Sequence, residues 1–240
     1  MIIYVTLAFF SPSCYNQNGK IAKEKITPMK MELDARNRRM REFFDRKADG
    51  YDSVHLLMMD SKTAITEAMP NDAKKILDLG IGTGLELVPI FEKFPDMKVT
   101  GIDISEKMLA ELVKRDFSPH VTPICGSFFT VEYGKNYDAV ISAAALHHFD
   151  ETDKSVLYKK IFDCLKPGGT FLNSDKVAAS QEEQDLCLRD YLTDPERYPH
   201  MDTPLTVENE TKLLLAAGFR KVEWKTVTDT NYRLLTAVKC

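Results

Sequence analysis

Leu77-Asp78-Leu79-Gly80-Ile81-Gly82-Thr83-Gly84 sets a short apolar run directly against a glycine-rich turn. Glycines in such a turn let a ligand approach the backbone, and the N-terminus of the helix that follows favours an anionic group. The glycines stand at 80, 82 and 84, as G-x-G-x-G. A dinucleotide fingerprint would put its third glycine at 85, where Leu85 stands, which counts against a pyrophosphate without removing it. Asp103 follows Gly80 by 23 residues, at the end of the next apolar run. An acid at that spacing can accept hydrogen bonds from both hydroxyls of a ribose. The competing role is an ordinary strand-end Asp that caps the next helix. Position and preceding turn together favour the ribose.

These residues need strands and helices to hold them. Lys75–Leu79, Lys98–Asp103, Val121–Cys125, Tyr137–Ser142 and Thr170–Asn173 read as five short strands. Helices are expected between them. Leu85–Phe94 stops at Pro95. A second helix is capped by Ser105, with Met108, Leu109, Leu112 and Val113 as its buried stripe. A third runs from Thr152 to Leu165, turns Val156, Leu157, Ile161, Phe162 and Leu165 inward, and is closed by Pro167-Gly168-Gly169. Gln181–Thr193 and Val207–Ala217 are further helices, the latter ended by Gly218. Val222–Thr228 and Tyr232–Lys239, joined at Asp229-Thr230-Asn231, read as an antiparallel hairpin. The regular alternation predicts an α/β fold: a doubly wound, mostly parallel, seven-stranded sheet closed by that hairpin. Upstream, Glu32 to about Met69 is helical in pattern. Met40, Phe43, Phe44, Ala48 and Tyr51 share one stripe, while Arg36, Arg38, Arg39, Arg41, Arg46 and Lys47 face elsewhere. Acids interleaved with these bases mark a solvated face rather than a nucleic-acid grip.

The chain has 240 residues, 44% hydrophobic and 28% charged, with a formal charge of −4. That suits one domain with a cap, and excludes wholesale disorder. The negative balance counts against a protein whose main work is gripping phosphate backbones. Five cysteines at wide spacings, with no C-x-x-C, speak against a disulfide framework or a structural zinc site and fit a reducing, cytoplasmic setting. No metal site is expected. No run reaches the roughly 20 apolar residues of a membrane span. Met1–Phe10 is apolar but has no Lys or Arg ahead of it and a poor cleavage pattern behind it. Residues 1–30 read as a tail or an upstream extension, with Met29 or Met31 as an alternative start.

The segments 77–84, 99–105, 137–149 (YDAVISAAALHHF), 165–171 (LKPGGTF), 216–222 and 234–239, in this order, resemble the class I S-adenosylmethionine-dependent methyltransferases. The lead-in FFDRKADGYD (43–52) is similar to that of the small-molecule branch, which includes quinone-biosynthesis methyltransferases. The resemblance implies S-adenosylmethionine as cofactor. Gly80, Gly82 and Gly84 would form the turn that holds its amino-acid end, with Asp78 beside the ammonium. Asp103 would take the ribose, and Ile104 and Met108 would sandwich the adenine. Ser127, followed by Phe128, stands where the family commonly has an acid that accepts from the adenine amine. Ser142 and Ala143 would line the methionine side, and Tyr51 would sit on an N-terminal lid.

The sulfonium already activates its methyl group, so the protein must mainly align the acceptor and exclude water. A base matters only for an acceptor that is protonated at working pH. His147, His148, His200 and Asp175 are the candidates, and His148 and Asp175 are the pair chosen as catalytic. Adjacent histidines on one helical turn diverge by roughly 100°, so at best one of His147 and His148 faces a site. Asp175 is expected just past the fifth strand, at the carboxyl edge. Residues 176–206, with Tyr191, Tyr198, His200 and Met201, would cap that edge together with the N-terminal helix at 31–70. The expected activity is direct methyl transfer to a small-molecule acceptor, without nucleic acid. A non-catalytic S-adenosylmethionine-binding module and an NAD(P)-dependent oxidoreductase are the alternatives.

Overall fold

A computed structural model describes residues 33–55, 59–194, 197–198, 200–227 and 231–240. The tail at 1–30 and most of the hairpin turn at 229–231 lie outside them. Seven strands form one sheet. They are β1 (Lys75–Leu79), β2 (Lys98–Asp103), β3 (Val121–Cys125), β4 (Tyr137–Ala143), β5 (Leu165–Lys176), β6 (Lys221–Thr226) and β7 (Tyr232–Val238). Their order is β3-β2-β1-β4-β5-β7-β6. The first five run parallel, and β7 lies antiparallel between β5 and β6. The chain reverses direction across the sheet between β1 and β4. In such a sheet the loops at the carboxyl ends of those two strands open onto a crevice.

Alternating residues of one strand serve two cores. In β1, Leu77 and Leu79 join Val140, Phe171, Tyr158, Leu214 and Phe219 on one face. Ile76 joins Ile141, Leu172, Ile65, Leu87 and Ile90 on the other. Strands buried on both faces explain why each reads as a continuous apolar run rather than an alternating one. Helices α4 (Leu87–Lys93) and α5 (Glu106–Leu112) follow β1 and β2. Ser105 caps α5, its hydroxyl accepting from the Met108 amide at 3.1 Å. Helix α6 (Glu151–Cys164) is capped by Asp150, and α8 (Val207–Ala217) ends at Gly218 in the left-handed region. Between α6 and α8 the buried Glu210 carboxylate accepts from both the Lys154 ammonium and the Tyr158 hydroxyl.

Among the described residues the N-terminal region shows three helical segments rather than one: α1 (Leu33–Lys47), α2 (Tyr51–His55) and α3 (Met59–Ala68). Helix α7 (Gln181–Thr193) stands in the cap as expected. Four details of the sequence reading are corrected. Val113 and Val156 are about half exposed, because each lies one residue beyond the stripe its helix turns inward. β5 begins at Leu165, immediately after α6, and passes through Pro167-Gly168-Gly169 with a register shift against Tyr137 and Ala139. Asp175 therefore lies inside β5, opposite Arg233, not beyond it. Arg36 does not face solvent; it is buried against Asp153 of α6.

Gly84 shows how tightly the turn is set. Its φ is +73°, and a Cβ there would stand 2.5 Å from the Leu112 side chain of α5. Gly84→Ala combines left-handed strain with overpacking, so it is expected to lower stability by about 2–4 kcal/mol. Urea denaturation would read this directly, and an unmoved midpoint would contradict the packing role.

Candidate active site

The crevice at the carboxyl edge is a cleft enclosing about 890 Å³, its open mouth included. Its floor is the glycine turn. Gly80 donates its amide to the Ile102 carbonyl at 2.8 Å, which ties the turn to β2. Gly82, with φ +50°, donates its amide to Asp103 Oδ2 at 2.9 Å. Asp103 Oδ1 accepts from the Ser105 amide at 2.8 Å. Burial pushes the Asp103 carboxyl up to about 6, against the pull of these amides. Ile104, Met108, Ser127 and Phe128 continue the lining beyond Asp103. Tyr51 and Ala143 close it from the lid and from β4.

Three of the expected cofactor residues do not reach the cleft. Gly84 serves α5 packing. Ser142 is buried, and its hydroxyl donates to the Leu79 carbonyl at 2.8 Å, bridging β4 to β1. Asp78 is fully buried behind the turn, with no hydrogen-bond partner for either oxygen among the described residues. Burial and the neighbouring Glu86 hold its carboxyl well above the usual range. Glu86 itself faces the buried Lys62 ammonium at 3.3 Å.

The histidines divide as their geometry requires. Leu146–His148 form one 3-10 turn after β4. The Asp175 carboxylate accepts from the Leu146 and His147 amides at 2.9 and 3.0 Å and lies 2.5 Å from His147 Nδ1. Asp175 is 4% exposed and is not part of the cleft lining, so it holds the turn rather than meeting a ligand. His148 does line the cleft. Its Nδ1 lies 2.6 Å from the Met201 carbonyl, which can only accept. Nδ1 must therefore carry the proton, leaving a lone pair on Nε2. Burial, then the neighbouring His147 and His200, push His148 well below the ordinary histidine range, so it is neutral at pH 7. From the cap, Tyr191, His200 and Met201 also reach the cleft. Tyr198 stays outside the lining and gives its carbonyl to Arg39 at 3.4 Å.

The residues that sequence reasoning missed are those that fasten the lid. Asp45 of α1 accepts from the Ser105 hydroxyl at 2.6 Å. Asp52 of α2 accepts from the Thr83 hydroxyl at 2.6 Å and pairs with the Arg115 guanidinium. Arg36 pairs with Asp153 at 2.6 Å, and Asn37 donates to the Ser127 hydroxyl at 3.2 Å. Arg36 precedes Met40 by one helical turn, so the periodicity already put it on the buried stripe. Its charge concealed that.

Residues 76–169 match a family model described as a methyltransferase domain. The matched segment runs from β1 into β5 and includes the glycine turn and Asp103. Phosphoethanolamine N-methyltransferase of Plasmodium falciparum is 28% identical over 177 residues, 73% of this chain and 64% of that protein. Demethylmenaquinone methyltransferase of Symbiobacterium thermophilum is 32% identical over 148 residues, 55% of this chain and 57% of that protein. The crystal structure of human N-acetylserotonin methyltransferase in complex with S-adenosylmethionine superposes with a TM-score of 0.66 at 21% identity. That match covers 87% of this chain and 59% of the human one. In each case the chain spans less than two thirds of the relative's length.

The lid latches make a local expectation. Asp52→Ala should raise amide hydrogen exchange across residues 33–55 while leaving β1–β5 protected. Mass spectrometry of the exchanged protein would read it; unchanged protection of the lid would show that Asp52 is not a latch.

Proposed function

We propose that this chain transfers a methyl group from S-adenosylmethionine to a small-molecule acceptor. The observation that carries the reading is the cleft itself. It joins the Gly82–Asp103 pair at one end to a neutral histidine at the other. The residues fit the cofactor. The Asp103 carboxylate keeps lone pairs for the ribose hydroxyls, and Ile104 and Met108 offer apolar contact for the adenine. Asp78, buried behind the turn, does not reach that end of the cleft. When bound, the cofactor supplies an electrophilic methyl group.

The chain's own residues do the rest. The lid and cap cover the cleft and exclude water, which strengthens every polar contact inside. His148 Nε2 takes the acceptor's proton if that acceptor is an O–H or a protonated N–H. Asp175 acts through His147 as a positioning residue: it holds the turn from which His148 projects. Removal of such a base typically lowers turnover by 10²–10⁴-fold. With an identified acceptor, His148→Gln is expected to lose kcat in that range at a KM changed far less. A raised KM at an unchanged kcat would mean that His148 only binds.

Titration calorimetry with S-adenosylmethionine and S-adenosylhomocysteine, with NADH as control, tests the cofactor. Binding of the first two and not the third is expected. Asp103→Ala should weaken binding more than tenfold, at least about 1.4 kcal/mol. The ribose hydroxyls donate, so they prefer the ionised carboxylate. Affinity in the wild type should therefore rise with pH through about 6 and level off above it. Asp103→Asn should flatten that profile. A wild-type profile flat from pH 5 to 8 would remove Asp103 from the ribose site.

A further inference from the structure

The half of the cleft away from the glycine turn carries charge of one sign. α1 turns Arg36 and Arg39 into it, beside Tyr191 of α7 and the ring of Phe44. Among the described residues the one carboxylate in the whole lining is Asp103, at the opposite end. His200, tilted against Phe43 with ring centroids 4.1 Å apart, is pushed down to about 4, chiefly by burial, and adds no charge at neutral pH. Asp153 and Asp150 of the α6 start stand behind Arg36, where Asp153 takes Nη1 at 2.6 Å. The lining there is thus rich in cationic donors and aromatic surface, and poor in acceptors.

Arg36 gives the second observation. The residue is 9% exposed, and its Nε is buried without a hydrogen-bond acceptor among the described residues. A buried guanidinium N–H left without an acceptor is unusual and unfavourable. A guanidinium presents its N–H groups as a planar fork that matches carboxylate and phosphate oxygens. The residue also lines the cleft, so an oxyanion lying between α1 and Tyr191 would meet this guanidinium there.

We propose that the acceptor carries an oxyanion, a carboxylate or a phosphate, on an aromatic or apolar body. Arg36 and Arg39 hold that anion, so that the reacting atom is presented toward His148. This rests on the methyl-transfer reading and narrows its substrate. It makes the two arginines specificity residues, and it assigns to the lid helix a role in substrate choice as well as in covering the cleft.

The test is calorimetry on the full chain, first with S-adenosylhomocysteine alone and then on the saturated complex. Three probes are used on the complex: 4-hydroxyphenylacetate, phenyl phosphate and the neutral 4-hydroxyphenylacetamide. Either anion should bind at least tenfold more tightly than the amide, and the order of the two anions tells carboxylate from phosphate. Arg36→Ala would leave Asp153 buried without its cation and unseat α1, so Arg39→Gln and Arg36→Lys are the variants. Each should shrink the anion preference by fivefold or more, Arg39→Gln at an unchanged melting temperature. If S-adenosylhomocysteine does not bind, the methyl-transfer reading falls and takes this inference with it. If it binds but the amide matches the anions, no anion binds at millimolar concentration, or both variants keep the preference, the inference alone is overturned.

Discussion

Both oxygens of the Asp103 carboxylate hold backbone amides before any ligand arrives, Gly82 on one side and Ser105 on the other. This one side chain joins the glycine turn after β1 to the start of α5 after β2. Ser105 in turn caps α5 and donates to Asp45 of the lid. The strand end, the turn, the helix and the lid are therefore registered on a single buried acid. Burial raises its pKa to about 6, so the free site holds an acid that is easily neutralised. Hydrogen-bond donors from a ligand would favour its ionised form.

The lid differs in kind from the sheet it covers. The sheet is held by apolar burial on both faces, with Leu77 and Ile76 facing two separate cores. Helices α1 and α2 lie over it largely through polar latches at Arg36, Asn37, Asp45 and Asp52. The more exposed of these, such as Asp52 with Arg115, contribute little each, because water competes for their partners. A segment of this kind belongs to the low-stability end of a protein, where substrate entry needs it. Arg36 joins the latch to the cleft, since the guanidinium that pairs with Asp153 also lines the cavity.

At the far wall, two adjacent histidines have separate work because their surroundings differ. His147 is turned toward Asp175, and the same carboxylate pins the backbone of the turn. His148 is turned toward the Met201 carbonyl, which sets its tautomer and exposes Nε2 to the cleft. The cap thus supplies more than a cover. Its main chain decides which nitrogen of a buried imidazole can take a proton.

Much of this architecture was legible in the amino-acid order. Apolar runs of five to seven residues, glycines at 80, 82 and 84, and a serine ahead of α5 specify strands, a turn and a capped helix through local physics. Asp103, Gly82 and His148 were readable because their spacing from those elements is short. The sequence alone therefore determined the α/β class, the mostly parallel sheet, the closing hairpin and the glycine–acid pair, while the strand order came from the tertiary structure. Only the tertiary structure decided which polar groups are buried. It took Ser142 and Gly84 into interstrand and interhelix packing, put Asp175 behind His147, and drew Arg36 inward to meet Asp153, 117 residues away. Local patterns record the period of an element and the side it buries. Whether a charged side chain on that side finds a partner depends on contacts between distant elements, and no local pattern encodes them.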